Sequence, residues 1–138
     1  MRVLYLERTL ANLVILGVQR FANLWLLPAP KLVGERLGIA AEDELDSFYP
    51  WFYGTRYPGK VPPIQHLRSG ALGSVLLERV AEPGELGHTA FGPAVWVFSA
   101  PKLETVSGNA LRAGYSDQPH VKERDRLALA QSVRKESE

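Results

Sequence analysis

Gly73 to Ala100 decides the fold: it holds two apolar runs separated by a turn-rich connector. The first run, Gly73-Ser74-Val75-Leu76-Leu77-Glu78-Arg79-Val80-Ala81, puts Val75, Leu77 and Arg79 on one side of an extended chain and Leu76, Glu78 and Val80 on the other. That pattern predicts a strand buried at its start and wetter at its end. The second run, Ala94-Val95-Trp96-Val97-Phe98-Ser99-Ala100, follows Pro93 and is apolar on both faces. A strand covered on both faces belongs in the middle of its sheet. The connector, with Glu82-Pro83-Gly84-Glu85-Leu86-Gly87-His88 at its heart, carries no helical periodicity. The two strands are therefore expected to pair antiparallel rather than through a crossover.

Toward the C-terminus, Ser99 or Ala100 reads as a helix cap, with Pro101 in the first turn and Glu104 near the positive helix end. Leu103, Val106, Ala110 and Leu111 supply a helical stripe that Gly114 ends, although Gly108 inside it costs about 1 kcal/mol relative to alanine. Beyond lies a charged arm, 117–138, with five basic and five acidic residues between Asp117 and Glu138. Leu127, Leu129, Ala130 and Val133 suit a weakly amphipathic helix there, either solvated or ordered on a partner. The expected organisation is one α+β domain, 1–116, followed by that arm.

Toward the N-terminus, Leu10 to Ala29 reads LANLVILGVQRFANLWLLPA. It is long enough to span a bilayer, but Asn12, Gln19, Arg20 and Asn23 interrupt it, and a mid-span arginine costs roughly 2.5–3.5 kcal/mol. Arg8, Asn12, Gln19 and Asn23 fall on one helical stripe, and Leu10, Leu13, Val14, Val18, Phe21, Leu24 and Trp25 cover much of the rest. An amphipathic helix ended by Pro28 and Pro30 is the expectation. It can pack on the domain's own sheet, on a neighbouring subunit or on a membrane. Its amide-rich polar stripe is unlike the Lys/Arg face of membrane-surface helices, and Trp25-Leu26-Leu27-Pro28 makes a poor signal-peptide cleavage site. Lys31 to Leu37 allows one helical turn. The acidic run Glu42, Asp43, Glu44 and Asp46 reads as a solvated face without calcium-loop spacing.

Phe48 to Lys60 carries Phe48, Tyr49, Trp51, Phe52, Tyr53 and Tyr57, six aromatics in thirteen residues. Pro50, Gly54, Pro58 and Gly59 predict a long loop with at most a short strand around Trp51 to Arg56. From Trp51 to Leu72 the charged residues are Arg56, Lys60 and Arg68, with no acid. Aromatics beside arginine suit either a protein contact or base stacking with phosphate contacts.

The wider composition narrows the function. The chain has 138 residues, 46% of them apolar, with a net charge of +1 and no cysteine. Disulfide scaffolds, thiolate metal sites and a cysteine nucleophile are excluded, and no global basic footprint is present. His66, His88 and His120 are isolated, and neither a phosphate-binding glycine loop nor a nucleophile elbow occurs. Ser132 and Lys135 match a Ser-x-x-Lys spacing only beside the charged C-terminus, where a nucleophile is not sheltered. The expectation is a protein that is not an enzyme and uses no cofactor or metal.

In pattern and length, Ser74 to Val80, the glycine-bearing connector and Ala94 to Ala100, preceded by Arg56-Tyr57-Pro58-Gly59-Lys60-Val61-Pro62, resemble tail-terminator (tail-completion, head–tail joining) proteins of long-tailed bacteriophages. The resemblance spans Tyr53 to Gly114. It implies an α+β fold with a small antiparallel sheet, a leading amphipathic helix and a helix after the central strand. It also implies a structural virion subunit that forms a homo-oligomeric ring, commonly of six copies, with other assembly subunits as neighbours. Tyr49, Trp51, Phe52, Tyr53 and Tyr57 would then meet the neighbouring copy, and Arg56, Lys60 and Arg68 would face DNA or an acidic partner. The apolar leading helix and the arm beyond Gly114 depart from that pattern. The alternative expectation is an accessory subunit of a membrane complex, docked through Leu4 to Leu27.

Overall fold

The computed structural model describes residues 1–114; the charged arm and the Ser132–Lys135 pair lie outside the described residues. The elements are β1 (Val3–Leu6), α1 (Arg8–Ile15), β2 (Phe21–Leu24), β3 (Arg36–Ala41), α2 (Phe48–Arg56), β4 (Gly70–Val80), β5 (Ala94–Lys102) and β6 (Ala110–Leu111). Two single 3-10 turns, Pro30–Leu32 and Ile64–His66, punctuate the loops. The fold is α+β, as expected, with β4 and β5 antiparallel and β5 inside the sheet.

The sheet itself is larger and mixed. Its strand order is β2-β5-β4-β3-β1-β6, with β1 parallel to both β3 and β6 and the remaining pairs antiparallel. It curls until its outer strands meet. Just past β2, the N–H groups of Trp25 and Leu26 donate to the carbonyl of Ala113, just past β6, at 3.0 and 3.1 Å. Side chains from both edges and the centre share one core that includes Leu4, Leu24, Leu37, Leu77, Trp96 and Leu111. The Trp96 indole N–H, deep in that core, donates to the Leu26 carbonyl at 2.8 Å. α1 packs on β1, β3, β4 and β5 and closes the core from one side.

Three sequence expectations are corrected here. The leading helix is eight residues long rather than running to Pro28. Gly17, at φ +75°, takes the left-handed conformation that ends α1: its N–H donates to Val14 and that of Val18 to Leu13. The apolar residues beyond become β2, so the polar stripe of Arg8, Asn12, Gln19 and Asn23 is not one helix face. Each of the four instead holds backbone: Arg8 and Asn12 grip Leu67 and Arg68, Gln19 bonds the Phe21 carbonyl, and Asn23 holds Thr89 and Phe91.

The aromatic stretch is a helix, not a loop. Pro50 sits in the first turn of α2, where its missing N–H would have had no partner in any case, and Asp46 Oδ1 accepts from the Phe48 N–H at 2.9 Å. No helix follows the central strand. β5 runs on to Lys102, paired with Ser74, the following residues are irregular, and β6 pairs with β1. Ala100 at φ +48° lies in a bulge, with Leu76 opposite Ser99 and Ser74 opposite Lys102, so the chain stays paired in the sheet where the helix would begin.

Close strand approach is enforced at Gly73, where an added Cβ would lie 2.2 Å from the Lys102 carbonyl oxygen. Gly73→Ala is expected to lower the melting temperature by several degrees, about what 1–3 kcal/mol does in a domain of this size. Gly54, helical and with open space at its Cβ position, should behave oppositely: Gly54→Ala should raise stability by roughly 0.5–1 kcal/mol. Thermal denaturation of the pair checks both signs.

The N-terminus of α1 carries a pH dependence. Glu7 caps it, its two carboxylate oxygens accepting from the Thr9 and Leu10 N–H groups at 2.9 and 3.0 Å. Burial nevertheless pushes the Glu7 carboxyl up to about 7 against the pull of those N–H groups, with Asp46 adding to the rise. The folded pKa lies above the unfolded value, so this contribution is fully present below about pH 4.5 and is lost as pH rises through about 7. Glu7→Gln is expected to flatten the fall in stability between pH 5 and pH 8, read from urea unfolding at each pH.

Candidate functional site: a cleft between α1 and β5

A cavity of about 150 Å³ opens where α1 ends and β5 passes behind it. Val14, Gln19, Arg20, Phe98, Ala100 and Pro101 line it. About the same volume admits a benzene ring in an engineered protein cavity, so the space matches one planar ring. Its lining is mostly apolar, with Gln19, Arg20 and Ser99 the polar members, and no acid lines it.

Gln19 organises the mouth. It is 1% exposed, a position that an amide occupies only when satisfied. Its Oε1 accepts from Arg56 Nη1 at 3.1 Å and from the Tyr57 hydroxyl at 2.8 Å, and its Nε2 donates to the Phe21 carbonyl at 2.9 Å. The end of α1, the start of β2 and the end of α2 are thereby joined through one side chain. Arg56 lies with its guanidinium 4.7 Å from the Phe52 ring centroid and 5.6 Å from that of Tyr53. Stacking of this kind leaves the planar face and remaining N–H groups of an arginine well placed for an anion.

The opposite wall is strained. Ala100 is, among the described residues, the non-glycine residue with positive φ. That conformation costs roughly 1 kcal/mol and is held by its surroundings: Arg36 Nη2 donates to the Ala100 carbonyl at 2.7 Å, and Arg36 Nε to Ser74 Oγ at 3.1 Å. Ser74 in turn bonds Glu104 at 3.0 Å. Hydrogen bonds from the Lys102 ammonium, then from Ser74, hold the Glu104 carboxyl below the usual carboxylate range.

Charge is distributed unevenly around this cleft. Residues 8–34 and 47–77 contain no Asp or Glu but hold Arg8, Arg20, Lys31, Arg56, Lys60 and Arg68. Among the described residues, the ion pairs join Arg79 to Glu78 and Glu85, Lys102 to Glu104, and Arg112 to Glu42. None involves Arg20, Arg56, Lys60 or Arg68.

The residues singled out in the sequence separate sharply. Tyr49 and Tyr53 are 3% and 0% exposed and belong to the core, which leaves them no surface for a neighbouring copy. Phe52 and Tyr57 are half-buried, and Trp51 stands out from α2 at 66% exposure. Arg56 joins the cleft, Lys60 is exposed, and Arg68 has its backbone clamped on both sides by the Asn12 amide, at 2.9 and 3.1 Å. Sequence reasoning missed Gln19, Arg20 and Ala100. The signal for the first two was present: a buried-type apolar run broken by Gly17, with Gln-Arg directly after it. His66 and His88 are both exposed, and no three His, Asp or Glu side chains gather into a metal-holding group among the described residues. No helix among the described residues is long and apolar enough to cross a membrane. A scan against models of known protein families gives no match, and a comparison with curated proteins gives none either.

Gln19→Leu keeps the shape and removes the acceptor that Arg56 and Tyr57 share. The expected cost is about 1–3 kcal/mol in urea unfolding, from partly buried donors losing a partner. Gln19→Glu, which keeps an acceptor facing Arg56, should cost less.

Proposed function

We propose that the protein is a non-catalytic binding module whose cleft takes a segment of single-stranded nucleic acid, one base entering the cavity while the phosphates meet Arg20 and Arg56. The observation that carries this reading is a one-ring cavity with Arg20 and no acid in its lining and with Arg56 held beside it on Gln19, neither arginine being in an ion pair among the described residues. A phosphate-bearing strand is the common ligand that offers a flat ring and a repeated negative charge together. Duplex fits less well: a single cavity set between a helix end and a strand accepts a base only when that base is out of its stack.

A structural role as a ring-forming virion subunit, the expectation attached to the phage resemblance, is the second reading. The exposure of Trp51 and Leu27 supports it, at 66% each. It draws less support from the sheet, because β2 and β6, the strands that would pair with another copy, lean on each other through Ala113. Nucleic-acid contact is common to both readings.

Fluorescence anisotropy with labelled oligothymidylate and oligouridylate tests the cleft. Binding is expected at low salt and should weaken steeply as salt rises. Arg20→Ala combined with Arg56→Ala should lose most of the affinity and reduce the slope of log K against log salt by about 1.4, two single-strand phosphate contacts at about 0.7 each. Absence of binding at about 50 mM salt would sink the reading.

A further inference from the structure

Gln19 lines the cavity at 1% exposure, and both ends of its amide are assigned. Oε1 has two lone pairs and accepts twice, from Arg56 Nη1 at 3.1 Å and from the Tyr57 hydroxyl at 2.8 Å. Nε2 has two hydrogens and donates one, to the Phe21 carbonyl at 2.9 Å. Reversing the amide would set its NH2 group against the Arg56 guanidinium and its oxygen against the Phe21 carbonyl, so the orientation is locked. What this buried amide has left, among the described residues, is one N–H and no acceptor. The other polar members of the lining are Arg20, which only donates, and Ser99, whose hydroxyl does either. The Ala100 carbonyl beside them is taken by Arg36 at 2.7 Å. The side chains of the cavity therefore offer donors in excess of acceptors, around space for one ring.

We propose that the base taken by the cleft is uracil or thymine, selected by the spare Gln19 N–H donating to its 4-carbonyl oxygen; this rests on the cleft reading above. Uracil and thymine are single rings with exocyclic oxygens at positions 2 and 4. Position 4 lies across the ring from the sugar, so it enters a cleft first. Cytosine is the same size but carries an amino group at position 4, a donor brought against donors. Burying that amino group without an acceptor is penalised, and a site built to hydrogen-bond one edge rejects the analogue of opposite polarity. Adenine and guanine carry a second fused ring, more than the one-ring space holds. Size thus turns away purines, and the locked amide separates the two kinds of pyrimidine.

The experiment reads fluorescence anisotropy of eight-nucleotide strands in matched pairs, oligothymidylate against oligodeoxycytidylate and oligouridylate against oligocytidylate. Full-length wild type and Gln19→Glu are compared. Wild type is expected to prefer the member with the 4-carbonyl by about tenfold in at least one pair, and that pair tells whether the strand is DNA or RNA. Gln19→Glu keeps an acceptor toward Arg56 but has no N–H to give. It should bring the ratio to within about twofold, whatever it does to the affinity for both members. If wild type binds the strands but prefers the 4-carbonyl in neither pair, the selectivity is overturned while the cleft reading stands. If the preference survives Gln19→Glu, Gln19 is not its source and the inference is overturned. If wild type binds none of the strands, the cleft reading falls and the inference with it. The wild-type ratio needs no variant, so it can refute the proposal even where Gln19→Glu fails to fold.

Discussion

Closure of the sheet governs everything else in this molecule. The carbonyl of Ala113 accepts two N–H groups from the far edge, Trp25 and Leu26, and so ties the chain just past β6 to the chain just past β2. Edges with unpaired backbone invite association, and bringing two of them together removes that liability without a seventh strand. Closure also fixes the interior. Ala22 and Leu24 from one edge and Leu111 and Ala113 from the other are all buried in the same cluster as Trp96. The parallel pairing of β6 with β1 is what delivers Ala113 to its place, so a helix over 101–111 is incompatible with the closed sheet.

The cleft is a consequence of the same geometry. α1 covers the curl and must hand the chain to β2, on the far side of β5. The Gly17 reversal performs that handover in a few residues, and the space left beneath it becomes the cavity. Four polar side chains then pin the surrounding loops. Arg8 holds the Leu67 carbonyl, Asn12 holds both backbone groups of Arg68, and Asn23 takes the Thr89 carbonyl and the Phe91 N–H. Gln19 holds α2. Buried amides of this kind are costly when unsatisfied and rigidifying when satisfied. The cleft walls are therefore preorganised, which lowers the ordering cost of any ligand that enters.

Strands β4 and β5 were legible because their patterns are of period two and run for several residues; tertiary contacts only reinforced them. The helix over 10–27 was misleading for a definite reason. Polar residues at 8, 12, 19 and 23 match a helical stripe by spacing, but Gly17 falls in the middle, and a left-handed glycine outweighs amphipathic periodicity. Pro50 misled in the other direction, since a proline breaks a helix interior but not its first turn. β1 and β6 were invisible because four- and two-residue strands carry almost no pattern of their own and exist through pairing with β3 and with each other. The site was half legible. Arg56 and the acid-free surroundings could be read directly, whereas the approach of Gln19 to Arg56 and Tyr57, nearly forty residues away in sequence, is a product of the fold.

Charge is placed unevenly along the chain. Four acidic residues, Glu42, Glu78, Glu85 and Glu104, pair with Arg112, Arg79 and Lys102, and Glu104 does so from the Ser74–Arg36 network behind the Ala100 wall of the cleft. Arg20, Arg56, Lys60 and Arg68 receive no such compensation among the described residues. A net charge of +1 thus conceals an uneven distribution of charge along the chain. The two acid-free segments, 8–34 and 47–77, meet where Gln19 accepts from Arg56 and Tyr57, so it is the fold and not the net charge that sets the electrostatics of that junction.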